Sequence, residues 1–127
     1  MCGIVGILGR EPVAGQLVDA LKRRHIDSRR LAALWGVPVT SWAALSAPFE
    51  PPPPERPQVA DDYAMFLALH ADAYFSTIQH ELKLADPNHL FLGSRFGART
   101  PEAVAACARW CDVVSFNLYV PSIATGF

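Results

Sequence analysis

The stretch DPNHLFLGSRFGARTPEAVAACARWCDVVSFNLY, running from Asp86 to Tyr119, decides the fold. Its first three residues, Asp86-Pro87-Asn88, are a turn signal: proline lacks an N–H and disfavours helix in the residue before it. Leu90–Gly93 is a short apolar run that stops on glycine and predicts a strand. Thr100 and Pro101 then predict a helix over Pro101–Trp110. Threonine can cap an orphan N–H, and proline at the first helical position loses no hydrogen bond. Asp112–Tyr119 carries Val113, Val114, Phe116 and Leu118 and predicts a second strand. Strand, helix and strand in that order form the unit of a parallel sheet.

Upstream, residues 61–85 predict one long helix, with Asp61 or Asp62 as its cap. Tyr63, Phe66, Leu67, His70, Tyr74, Ile78 and Leu82 recur at helical spacing and predict a continuous apolar stripe. Residues 48–57 read as a linker, because Pro48, Pro51–Pro54 and Pro57 cannot sustain a helix or a central strand. Pro51–Pro54 should form a stiff polyproline II spacer, read as a surface insertion. Before it, Thr40 or Ser41 caps a short turn through Leu45. Asp27 and Ser28 cap a helix over Arg29–Trp35, and Gly36 stops it. Residues 3–8 predict a short buried strand. Pro12 then opens a helix in which Val13, Leu17, Ala20 and Leu21 share a face, with Lys22, Arg23 and Arg24 at its C-terminal end.

Composition narrows the function classes. The chain has 127 residues, of which 51% are hydrophobic and 18% charged, so it can bury a core and is not a disordered polymer. Eleven basic residues against twelve acidic ones leave a net charge of −1, so no nucleic-acid partner is expected. No apolar run reaches the ~18 residues of a membrane span, and Ile4–Leu8 is too short for a signal peptide. Three cysteines without a secretory signal point to reduced thiols and a cytoplasmic location.

Cys107 and Cys111 stand one helical turn apart, with no histidine near in sequence, and read as buried structural thiols. His70 and His80 are ten residues apart, about 80° around a helix, and cannot share a metal. His70 reads as a packed residue, His80 as a solvated one and His89 as a turn residue. No metal site is expected.

The opening Met1-Cys2-Gly3-Ile4-Val5-Gly6-Ile7-Leu8-Gly9-Arg10, continuing to Lys22, resembles the N-terminus of class II glutamine amidotransferases of the glutamine–fructose-6-phosphate aminotransferase kind. The resemblance implies removal of Met1 and a nucleophilic role for Cys2. A free α-amino group, with a pKa near 8, can serve as base for its own thiol. Past residue 22 the likeness thins: Arg24-His25-Ile26-Asp27-Ser28 keeps the family's Asp-Ser but not its Gly-Tyr.

Residues 29–119 resemble an internal piece of a (β/α)8 retaining glycoside hydrolase, similar to β-agarases and β-galactosidase-like enzymes. The resembling segments are Leu31–Gly36 with Ser41-Trp42, His70–Thr77, Asp86–Gly93 with Arg95-Phe96, and Cys111–Tyr119. The implied fold is α/β: an incomplete (β/α)8-barrel fragment preceded by an amidotransferase-type strand and helix. The domains implied are 1–28 and 29–127, the second carrying the proline-rich insertion at 48–57. Because the two resemblances meet near residues 23–30 without a linker, a chimeric or truncated reading frame is expected.

Retaining glycosidases use two carboxylates about 5 Å apart. In the family resembled here both are glutamates, flanking the matched region, and neither is present. Glu11, Glu50, Glu55, Glu81 and Glu102 all stand away from strand ends, where barrel chemistry sits. The residues expected at strand ends are Arg95, Phe96, Asn117 and Tyr119. Arg95 and Asn117 would bond sugar hydroxyls, and Tyr119 would stack or stand by a carboxylate.

Three functions are therefore expected as competing readings. The first is a carbohydrate-directed hydrolase fragment, inactive alone. The second is a glutamine amidotransferase working through Cys2. The third is a non-catalytic module binding through a sheet edge or the polyproline run. Neither resemblance implies a cofactor. Unpaired strand edges predict self-association.

Overall fold

The computed structural model describes residues 13–47 and 52–118. The strand expected at residues 3–8, the nucleophile candidate Cys2 and the sugar-site candidate Tyr119 lie outside the described residues. The elements in order are α1 (Val13–Arg24), α2 (Ser28–Trp35), a 3-10 turn (Trp42–Ser46), α3 (Pro57–Ala85), β1 (Arg95–Phe96), α4 (Pro101–Trp110) and β2 (Ser115–Phe116). They fall into two compact units, residues 1–70 and 71–127, and α3 contributes to both.

In the first unit, local chemistry sets the helix ends. The Asp27 carboxylate accepts the Arg30 N–H at 2.7 Å, satisfying one orphan donor at the start of α2. Gly36 ends α2 at φ +70°, where a side chain would be strained, and a Cβ there would lie 2.6 Å from the Arg56 guanidinium. Ser41 Oγ accepts the Ala44 N–H to start the 3-10 turn. Leu31, Trp35 and Val59 form the buried cluster, with Leu21, Leu34, Trp42 and Tyr63 packed around it.

Helix α3 starts at Pro57, four residues before the predicted start, and neither Asp61 nor Asp62 caps it. Pro57 fits the first helical position because its missing N–H would have been unpaired anyway. Arg56 O then takes the N–H groups of Val59 and Ala60. The predicted stripe is also corrected. The buried residues of α3 are Val59, Asp62, Ala71 and Phe75, whereas Phe66 is 44% exposed. Its two halves answer to different clusters, so no single straight stripe is covered. His70 is half-buried and stacks on the Phe66 ring, and His80 is exposed, as expected.

The second unit contains the strand–helix–strand motif. β1 and β2 pair in parallel, Arg95 with Ser115 and Phe96 with Phe116. Helix α4 spans the predicted residues, with Thr100 Oγ1 accepting the Ala103 N–H and Pro101 opening the first turn. Both strands are shorter than predicted, and the first is displaced. Leu90–Gly93 is not a strand, and Leu90 and Leu92 are 63% and 57% exposed. Gly93 adopts φ +61°, which breaks an extended run. Phe91 is held instead by a side-chain tie: its N–H donates to the Asp112 carboxylate at 2.7 Å, and its carbonyl accepts the Asp112 N–H at 2.9 Å. Phe75, Phe96, Ala71, Ala106 and Cys107 form the core beneath the strands.

The Asp112 tie carries a pH prediction. The Phe91 N–H, and then Lys83 Nζ, hold the Asp112 carboxyl below the ordinary aspartate range. A depressed folded pKa means that the stabilisation is complete above the unfolded value, near 3.9. It is lost as pH falls through the lower folded value. The Asp112→Asn variant should therefore lose less stability than the parent between pH 5 and pH 2. Parallel acid titrations by circular dichroism would check this, and identical slopes would contradict it.

Candidate functional site

The parallel register sorts strand residues onto two faces. Phe96 is buried against Phe75, Ala106 and Cys107, so its face is the one covered by helices. Side chains alternate along a strand, and Arg95 and Ser115 therefore occupy the opposite face. Asn117, two residues past Ser115, has the same parity, and its N–H donates to Phe96 O at 2.8 Å. Arg95, which opens β1, and Asn117, just past the end of β2, are thus brought to the face opposite Phe96. Arg95 is exposed and Asn117 half-buried. Among the described residues the Arg95 guanidinium makes no ion pair, so its donors face solvent.

Two expectations change. Phe96 is 8% exposed and belongs to the core, so it does not face a sugar. Ser115 stands directly beside Arg95 and was missed, although its period-2 relation to Asn117 was visible in the sequence. Arg99, also missed, places its guanidinium 5.2 Å from the centre of the Phe116 ring, a cation–π contact. No described glutamate joins this face: Glu81 lies on α3, Glu102 in the first turn of α4 and Glu55 in the turn before α3. Glu11 and Glu50 lie outside the described residues.

Among the described residues, the most heavily bonded buried polar group is elsewhere, in the first unit. Asp62 is 2% exposed and accepts from three side chains. His25 Nε2 lies 3.0 Å from one of its oxygens, Trp35 Nε1 donates to that same oxygen at 2.8 Å, and Arg24 Nε pairs with the other at 3.0 Å. The group ties the end of α1 to α2 and α3. A His–Asp pair can orient a catalytic base, but no hydroxyl or thiol stands beside this one among the contacts of the described residues. Its chemistry is that of a structural tie.

The thiols of Cys107 and Cys111 are free. Burial, and then the hydrogen bond to Cys107, push the Cys111 thiol up to about 12. It is protonated at neutral pH and is a poor nucleophile. Among the described residues no group of three or more His, Cys, Asp or Glu converges on a metal position. No helix among them is long and apolar enough to cross a membrane.

No family model matches the chain. Over 116 residues it is 34% identical to the β-agarase B of Vibrio sp. (strain JT0107), covering 90% of this chain and 12% of that protein. The solved structure of the agarase AgWH50C superposes with a TM-score of 0.76 at 37% identity, over 85% of this chain and 16% of that one. A shorter stretch of 39 residues is 69% identical to the glutamine–fructose-6-phosphate aminotransferase of Bradyrhizobium diazoefficiens, covering 28% of this chain and 6% of that protein. The chain is homologous to segments of agarases and shares a short segment with the aminotransferase. It spans about a tenth of the length of the curated agarase it matches. Because the two likenesses cover 90% and 28% of the chain, they overlap, and the agarase-like one reaches beyond residues 29–119.

Proposed function

We propose that this chain is part of a (β/α)8-barrel glycoside hydrolase directed at agar-type polysaccharides, and that it has no activity alone. The observation that carries this reading is that Arg95 and Ser115, which open the two parallel strands, and Asn117, just past the second strand's C-terminal end, lie on the face opposite Phe96. Polar groups at the C-terminal ends of barrel strands are where such folds place substrate. Arg95 would donate to sugar hydroxyls, and Asn117 would donate and accept. Tyr119, the third candidate, would stack on a sugar or stand by a carboxylate. The likeness to agarases along most of the chain supports the substrate class.

Hydrolysis by the retaining route needs an acid and a nucleophile about 5 Å apart. The described glutamates are dispersed over a turn and two helices, away from the polar face. The isolated chain should release no reducing sugar from agarose. Turnover that disappears when any one of Glu55, Glu81 or Glu102 is replaced by Gln would overturn this reading.

The aminotransferase likeness supports a second reading, in which Cys2 attacks glutamine once Met1 is removed. An intact mass that retains Met1 would exclude it. Ammonia release lost in the Cys2→Ala variant would establish it.

A further inference from the structure

Gly93 has no side chain, and two sulfurs occupy the space where one would be. A Cβ built on it would lie 2.6 Å from Cys111 Sγ and 2.8 Å from Cys107 Sγ. The two sulfurs are therefore no farther apart than the sum of those distances. Cys107 is fully buried in the last turn of α4, and Cys111, the residue that ends it, is half-buried.

A disulfide suits this pair poorly. It needs Cβ atoms roughly 3.5–4.5 Å apart. Residues one helical turn apart hold theirs about 5–6 Å apart. The turn is also closed by the Cys111 N–H, which donates to Cys107 O at 2.8 Å. An ion between the sulfurs removes that constraint, because metal–sulfur bonds of roughly 2.3 Å each let the sulfurs stay apart. With no third ligand converging among the described residues, the ion must accept two. Thiolate pairs favour soft cations, of which copper(I) accepts two-coordination.

We propose that Cys107 and Cys111 form a two-coordinate site for a soft cation of the copper(I) kind, with Gly93 as the position that leaves room for both sulfurs. Binding replaces two S–H bonds by two Cu–S bonds and releases two protons to solvent, with no change of oxidation state. The site is independent of the polar face at the strand ends.

The test uses the Cys2→Ser chain, which retains only these two thiols. It is titrated anaerobically with copper(I) against a chromogenic copper(I) chelator. The expected result is one ion per chain, with a native mass showing one copper gained and two protons lost, and both thiols protected from alkylation after quenching. Adding Cys111→Ser should weaken uptake at least tenfold. Gly93→Ala keeps both thiols but crowds them, and should also weaken uptake. No uptake by the Cys2→Ser chain would overturn the proposal. So would uptake that protects one thiol only, or equal uptake by the Cys2→Ser and Cys2→Ser/Gly93→Ala chains.

Discussion

Replacing Asp62 by alanine should destabilise the first unit by about 3–5 kcal/mol, the cost of removing one partner from a buried charged network. The carboxylate is 2% exposed and receives His25, Trp35 and Arg24. Removing it leaves the Trp35 N–H and the buried His25 ring without their acceptor, and desolvated donors left unpaired are costly. Asp62→Asn keeps one acceptor oxygen and should cost less. Urea titration followed by tryptophan fluorescence reads the change, because Trp35 itself contacts the carboxylate. An alanine variant with an unshifted midpoint would show that the three donors find water instead.

The second large effect falls in the other unit. Phe75→Ala should cost about 3–5 kcal/mol, as large-to-small changes in a filled core do, because the lost burial adds to the cavity left behind. Phe75 is 4% exposed, sits with Ala71, Phe96, Ala106 and Cys107, and meets Phe96 at a ring separation of 6.5 Å. Beneath a two-stranded sheet few other residues can move in to fill the space. Phe75→Leu, which keeps most of the volume, should recover much of the loss. Thermal melts followed by far-UV circular dichroism would compare the three chains, and equal midpoints for the parent and the alanine variant would contradict the prediction.

The elements read correctly from the sequence are those specified by neighbours in the chain. Thr100-Pro101 starts α4, Asp27 starts α2, Gly36 ends it, and Ser41 opens the 3-10 turn. Each is a contact across three or four residues, and a short window contains all of it. The parallel order of β1 and β2 was legible too, since a helix between two strands favours a crossover. The errors came from contacts over longer spans. Asp62 resembled a helix cap because aspartates precede helices often, but its partners are 27 to 38 residues away. Leu90–Gly93 resembled a strand by composition, but among the described residues its Phe91 backbone bonds only to Asp112, once through the carboxylate and once through the Asp112 N–H.

The candidate site divides along the same line. Arg95 and Asn117 could be named from the sequence because they lie in the segments that resemble a glycoside-hydrolase barrel. That they share a face, and that Phe96 does not, required the register, since a shift of one residue would have exchanged the faces. The sequence by itself determined where helices start and stop and that two strands run parallel, because short-range hydrogen bonds specify both. Only the tertiary structure decided which polar residues are buried, which face the strand ends present, and that Gly93 makes room for two thiols. Those outcomes depend on which distant groups meet, and on how burial makes an unpaired group too costly to leave alone.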